Sequence, residues 1–184
     1  MLRLFFALQP TAALGAALLE RAAALATQTK GQIVPAENFH ATLCFVGAVA
    51  PEKLYLLLET AARVRAAPVT LAFSAFEYWD KPRVLCATAD AGAADSPANR
   101  LSRSLGEASI TAGFAPDVKP FRPHLTVARK LSAADAAIVE WPRPLEPALV
   151  VRCEHFVLMR SQRVESGSLY SVVESWPLDA SEPL

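Results

Sequence analysis

His40-Ala41-Thr42-Leu43 and His124-Leu125-Thr126-Val127 place two of the chain's three histidines in one four-residue pattern. In each, an imidazole is followed two residues later by a threonine hydroxyl. Side chains at i and i+2 of a strand share a face. Each pattern therefore sets a titratable ring beside a hydrogen-bond donor, and alternation turns Ala41, Leu43 and Phe45, and likewise Leu125 and Val127, toward the core. An imidazole titrates near ~6.5, so a pair can offer one neutral and one protonated ring at working pH. That is a general base and a general acid together. A phosphodiester suits the layout. The base takes a proton from the nucleophile, the acid gives one to the leaving oxygen, and Thr42 and Thr126 hold the non-bridging oxygens where charge grows. The scheme calls for no metal.

Other residues carry weaker signals. His155 has Val157 where the other two histidines have threonine, and it reads as an ordinary strand residue. A zinc site from His40, His124 and His155 ranks last, because threonine is a poor ligand and no cysteine or acidic partner has suitable spacing. By alternation Cys44 falls on the His40 side. With no Asp or Asn placed to orient a base for it, it reads as a packed thiol rather than a nucleophile. Tyr78 and Trp79 at a hairpin tip suit either base stacking or surface packing. Arg129 follows the second motif, and alternation points it away from His124 unless the strand ends or bulges there.

The elements that must position these groups follow from periodicity and punctuation. Leu2–Leu8, Phe39–Val46 and His124–Arg129 read as strands, and Val69–Tyr78 with Arg83–Ala89 as a hairpin around Trp-Asp-Lys-Pro. Pro10–Thr29 and Pro51–Ala67 read as helices, a third runs from Asp95-Ser96-Pro97 to near Gly113, and Ser132 opens a short fourth. Glu146–Met159 and Gly167–Leu178 read as two final strands. Hairpins interrupt any regular strand–helix alternation, which favours an α+β fold over a doubly wound parallel sheet.

The composition bounds the partners. The 184 residues carry 18 basic and 18 acidic side chains, so tracking a long nucleic acid by charge alone is disfavoured, while a short end or a small phosphate ester is not. The three cysteines are far apart and form no Cys-x-x-Cys pair, which reads as reduced core thiols in a cytoplasmic protein. The apolar opening is broken by Gln9-Pro10 and Glu20-Arg21, favouring a strand and a helix over a leader. No uncharged stretch reaches the ~18 residues of a membrane span. No glycine-rich phosphate loop is present.

The two motifs resemble the paired His-x-Thr-x signatures of the 2H phosphoesterase superfamily. The contexts Arg-Leu-Phe-Phe-Ala-Leu-Gln-Pro, Arg-Pro-His-Leu-Thr-Val-Ala-Arg and Gly-Ser-Leu-Tyr-Ser-Val-Val-Glu-Ser-Trp-Pro-Leu are similar to its RNA 2′,3′-cyclic phosphodiesterase branch, also described as the 2′-5′ RNA ligase family. The likeness runs from Leu2 to Leu178. It implies one bilobal α+β domain over residues 1–184, with two similar lobes of mainly antiparallel sheet, flanking helices and a cleft between them. It further implies hydrolysis of RNA 2′,3′-cyclic phosphate ends to 2′-phosphomonoesters, and 2′-5′ joining as the reverse chemistry. His40 is then the proton donor, His124 the proton acceptor, and Thr42, Thr126 and Arg129 bind substrate. Cys44 stands where some relatives carry a basic side chain. The expected partners are RNA ends or nucleotides with a 2′,3′-cyclic phosphate, with no cofactor, metal or membrane, and the chain is expected to be a monomer. A phosphodiesterase for small cyclic nucleotides and a non-catalytic RNA-end binding module are the competing readings.

Overall fold

Leu4 to Leu8 are buried without a break because strand β1, Leu2–Leu8, is covered on both faces. Leu4, Phe6 and Leu8 enter the main core, while Phe5 and Ala7 join a small cluster with Val157 and Met159 on the other side. The computed structural model describes residues 1–117, 119–164 and 167–179, so the last five residues of the expected domain lie outside it.

Two antiparallel sheets form the molecule. The first has the order β3 (Ala41–Val49), β1, β8 (His155–Val164) and β9 (Gly167–Pro177). The second has the order β2 (Gln32–Ile33), β6 (His124–Arg129), β5 (Val84–Ala89), β4 (Val69–Trp79) and β7 (Arg143–Cys153). This is the expected α+β, two-lobed architecture, with one histidine motif in each sheet. The chain passes repeatedly between the lobes. Helix α1, Ala12–Gln28, follows β1 of the first sheet and packs against β2, β6 and β7 of the second. Helix α3, Pro97–Thr111, follows β5 of the second sheet and packs mainly on β3 of the first and on α2, Leu54–Ala61. Thr11 caps α1 by accepting from the Leu14 amide, and Ser96, with Pro97 in the first turn, caps α3. Ser132 likewise caps the short α4, Ala133–Ala137.

Two expectations require correction. The helix expected over Pro51–Ala67 is a 3-10 turn at Pro51–Lys53 followed by α2, which stops at Ala61. Pro68 disfavours helical Ala67, and the Arg65 guanidinium donates to the Ala62 and Val64 carbonyls beyond the helix end. The single strand expected over Glu146–Met159 is two strands in different sheets, broken at Glu154, whose carbonyl accepts from the Leu178 amide at 2.8 Å. Its first part starts earlier, at Arg143, and tolerates Pro144 and Pro147 because β7 is an edge strand. The two-residue β2, too short for any periodicity, was not expected.

Candidate active site

The two motif strands face each other across a cleft of about 270 Å³, lined by His40, Thr42, His124, Thr126 and Arg129. All five residues singled out in the sequence thus meet at one place. Arg3, Phe5, Phe45, Trp79, Pro82, Val84, Ser161 and Tyr170 complete the lining. His155 is exposed at the start of β8 and is not among them. Among the described residues no group of three or more His, Cys, Asp or Glu side chains is arranged to hold a metal ion.

The two imidazoles are held the same way. His40 Nδ1 lies 2.7 Å from the Asn38 carbonyl and His124 Nδ1 lies 2.8 Å from the Arg122 carbonyl, each two residues upstream. A carbonyl only accepts, so both Nδ1 atoms carry hydrogen and donate, and each neutral ring keeps its Nε2 lone pair free.

A bulge at the last residue of each motif decides which later side chains reach the cleft. In β3, Phe6 pairs with Cys44 but Ala7 with Thr42, leaving Leu43 as the extra residue. In β6, Leu85 pairs with Ala128 but Cys86 with Thr126, leaving Val127 as the extra residue. An inserted residue resets the alternation. Leu43 and Cys44 are consequently both buried, and Phe45 turns to the cleft instead of the core. Val127 and Ala128 are both buried, and Arg129 turns to the cleft instead of away from it. Phe45 and Arg129 stand five residues after their histidines and occupy matching places in the two lobes. Cys44 therefore does not share the face of His40. It lines a separate cavity of about 730 Å³ behind β3, with Ser102, Asp117 and Phe121. Burial pushes the Cys44 thiol up, and Asp117 adds to this against a hydrogen bond from Ser109. An inert thiol is the result.

The surroundings of the two rings differ. His40 is packed by Phe5, at 4.9 Å between ring centroids, and Tyr170, at 4.7 Å. Burial lowers its pKa to about 4, with Arg129 and His124 contributing and the Asn38 hydrogen bond opposing. His124 packs on Trp79 at 4.4 Å, and burial lowers its pKa too, helped by Arg122 and Arg129 and opposed by the Arg122 carbonyl and Glu77. Arg129 Nη2 reaches the Tyr170 hydroxyl at 3.5 Å, linking the lobes across the cleft. Arg3 lies over the Phe45 ring at 4.9 Å. Alternation along β1 would have found Arg3 and Phe5, had the cleft face of that strand been assigned. Of the two aromatic residues noted at the hairpin tip, Trp79 lines the cleft and Tyr78 does not, and Tyr170 becomes visible only once the strand order is known.

The depressed His40 pKa has a consequence for stability. The unfolded chain binds its proton near ~6.5, the folded chain only near 4. Below about 6.5 the unfolded state thus gains protons that the folded state does not, so stability falls as pH drops toward 4. The midpoint of thermal unfolding should fall across this window, and His40→Gln should lessen the fall. An equal fall in both proteins would mean that His40 is not responsible.

Comparison with known proteins agrees with the geometry. Residues 10–165 match the family described as the 2′-5′ RNA ligase superfamily. The chain belongs to this superfamily. It is 32% identical to an RNA 2′,3′-cyclic phosphodiesterase of Geobacillus stearothermophilus over 77% of its own length, spanning 46% of that relative. It is 31% identical to an RNA 2′,3′-cyclic phosphodiesterase of Escherichia coli K12, over 72% of this chain and 74% of the relative. The fold matches the crystal structure of E. coli LigT complexed with 3′-AMP, with a TM-score of 0.81 and 26% identity, covering 97% of this chain and 99% of that one. For this superfamily member the comparison also bears out the bilobal α+β fold that the resemblance implies.

Proposed function

We propose that the protein hydrolyses RNA 2′,3′-cyclic phosphate ends to 2′-phosphomonoesters. The observation that carries this reading is the pair of imidazoles, one from each lobe, with both Nδ1 atoms anchored and both Nε2 atoms free at one cleft. The names of the relatives support the same substrate. In the reaction His124 Nε2 takes a proton from water as its oxygen attacks phosphorus. The P–O3′ bond breaks, and protonated His40 gives its proton to the leaving 3′-oxygen. A 2′-phosphate and a 3′-hydroxyl remain. Thr42 and Thr126 donate to the non-bridging oxygens, and Arg129 offsets their charge. With the 5′-hydroxyl of an RNA attacking in place of water, the same groups join ends through a 2′-5′ bond.

His40 is neutral near pH 7 while the cleft is empty, because burial holds its pKa near 4. The phosphate anion favours a positive ring beside it, so substrate binding brings the acid its proton. Uptake of protons when a 2′-nucleotide product binds, measured by calorimetry in buffers of different ionisation enthalpy, is the expected sign of this coupling. Binding without proton uptake near pH 7 would contradict it.

Acid, base and hydrogen-bond donors all come from one chain, so residues 1–184 act as one bilobal domain and as a monomer, without metal or cofactor. Three buried free cysteines support a cytoplasmic setting. No helix among the described residues is long and apolar enough to cross a membrane. The test is an RNA ending in 2′,3′-cyclic phosphate, incubated with protein after exhaustive chelation. Turnover should persist, and a DNA oligonucleotide, which has no 2′-oxygen to form the ring, should not react. Loss on chelation with recovery on adding zinc or manganese would replace this scheme by a metal mechanism.

A further inference from the structure

The two lobes anchor their histidines with the same backbone bond but surround them differently, and the second has a carboxylate in its support. Glu77 on β4 has three partners. It accepts from the Trp79 indole at 3.1 Å and from the Thr88 hydroxyl at 3.2 Å, and it pairs with the Arg122 guanidinium. Each of these partners bears on His124. Trp79 stacks against the imidazole. Thr88 is the residue paired with His124 across the β5–β6 ladder. Arg122 gives its backbone carbonyl to His124 Nδ1 and lays its guanidinium over Trp79 at 4.6 Å. One carboxylate therefore ties together the ring that packs on His124, the strand beside it and the residue that fixes its tautomer.

We infer that Glu77 is a positioning residue for His124, acting through Trp79, Thr88 and Arg122. The role deepens the reading of His124 as the base and rests on it. Glu77 touches no substrate position, since it is absent from the cleft lining. Two effects follow from its place. It fixes the ring plane, so the free Nε2 points at the attacking water. It also offsets the positive charges around that ring. The charged and titratable groups facing His124 are Arg122 and Arg129 on its own segment, Glu77 on β4 and His40 on the opposite lobe. Glu77 is the one negative charge among them. Among the described residues His40 has no such carboxylate, being packed by Phe5 and Tyr170. The fold thus makes two rings held by the same backbone bond unequal, and leaves the second the better proton acceptor.

The experiment is the titration of both imidazoles, followed by NMR of the ring carbons in the free protein, beside steady-state kinetics on a 2′,3′-cyclic phosphate RNA. Glu77→Gln keeps an acceptor for the indole but removes the charge. The His124 titration should move to lower pH while that of His40 stays nearly in place. Arg122→Gln, which keeps the backbone carbonyl, should move His124 in the opposite direction. In Glu77→Gln, kcat should fall on the order of tenfold, short of the ~10²–10⁴ of a lost base, with KM little changed. An unmoved His124 titration in both variants would overturn the inference, as would a kcat unchanged in Glu77→Gln. The titration needs no turnover. If the wild-type protein proved inactive on the RNA, the proposed function would fall while the support of His124 by Glu77 was still decided by the NMR result.

Discussion

His40→Ala and His124→Ala should each lower kcat by on the order of 10²–10⁴-fold, the range for a positioned acid or base. Both rings are anchored at Nδ1 with Nε2 free, so neither removal is covered by a neighbour. The mutants should differ in character. Without His40 the leaving 3′-oxygen departs unprotonated, and the loss should shrink for a substrate with a better leaving group. Without His124 no base takes the proton of the attacking water, and the loss should persist with that substrate. The double mutant should lose less than the product of the two effects, because groups that act as a unit are not additive. Thr42→Ala and Thr126→Ala should cost less, each removing one hydrogen bond to the phosphate. Near-normal turnover in either histidine mutant would remove that residue from the mechanism.

The second large effect is in the pH dependence. In the proposed mechanism the productive free enzyme carries one proton on the histidine pair, and both rings titrate below their ordinary value because of burial, His40 near 4. The kcat/KM profile reports these free-enzyme groups. It should peak on the acid side of 6.5 and fall about tenfold per pH unit above the upper pKa, or roughly a hundredfold over two units. The kcat profile reports the complex, where the bound phosphate anion favours the protonated ring, and its optimum should lie at higher pH. Coincident optima in the two profiles would show that substrate does not supply the acid with its proton.

Much of the site was legible because its chemistry is local. Two residues and a strand period suffice to pair each histidine with its threonine, and β6 runs over His124–Arg129 as periodicity had it. What failed depends on partners far along the chain. The bulges at Leu43 and Val127 are properties of register against β1 and β5, and no pattern within β3 or β6 announces them. They reversed the faces assigned to Cys44 and Phe45 and supplied the turn that Arg129 required. The switch of sheets at Glu154 was hidden for the same reason, since apolar residues on both sides of it read as one strand. The rings that pack on the histidines come from β1, β4 and β9, and only the assembled sheets bring them together.

The mechanism commits the acid to one oxygen of the cyclic ester, and ³¹P NMR of the product tests that commitment most directly. A 2′,3′-cyclic nucleotide end converted in ¹⁸O-labelled water should give a 2′-phosphomonoester carrying one labelled oxygen, with a free 3′-hydroxyl. A 3′-phosphomonoester would mean that the acid faces the 2′-oxygen, and unchanged cyclic phosphate would mean that the paired histidines do not hydrolyse this substrate.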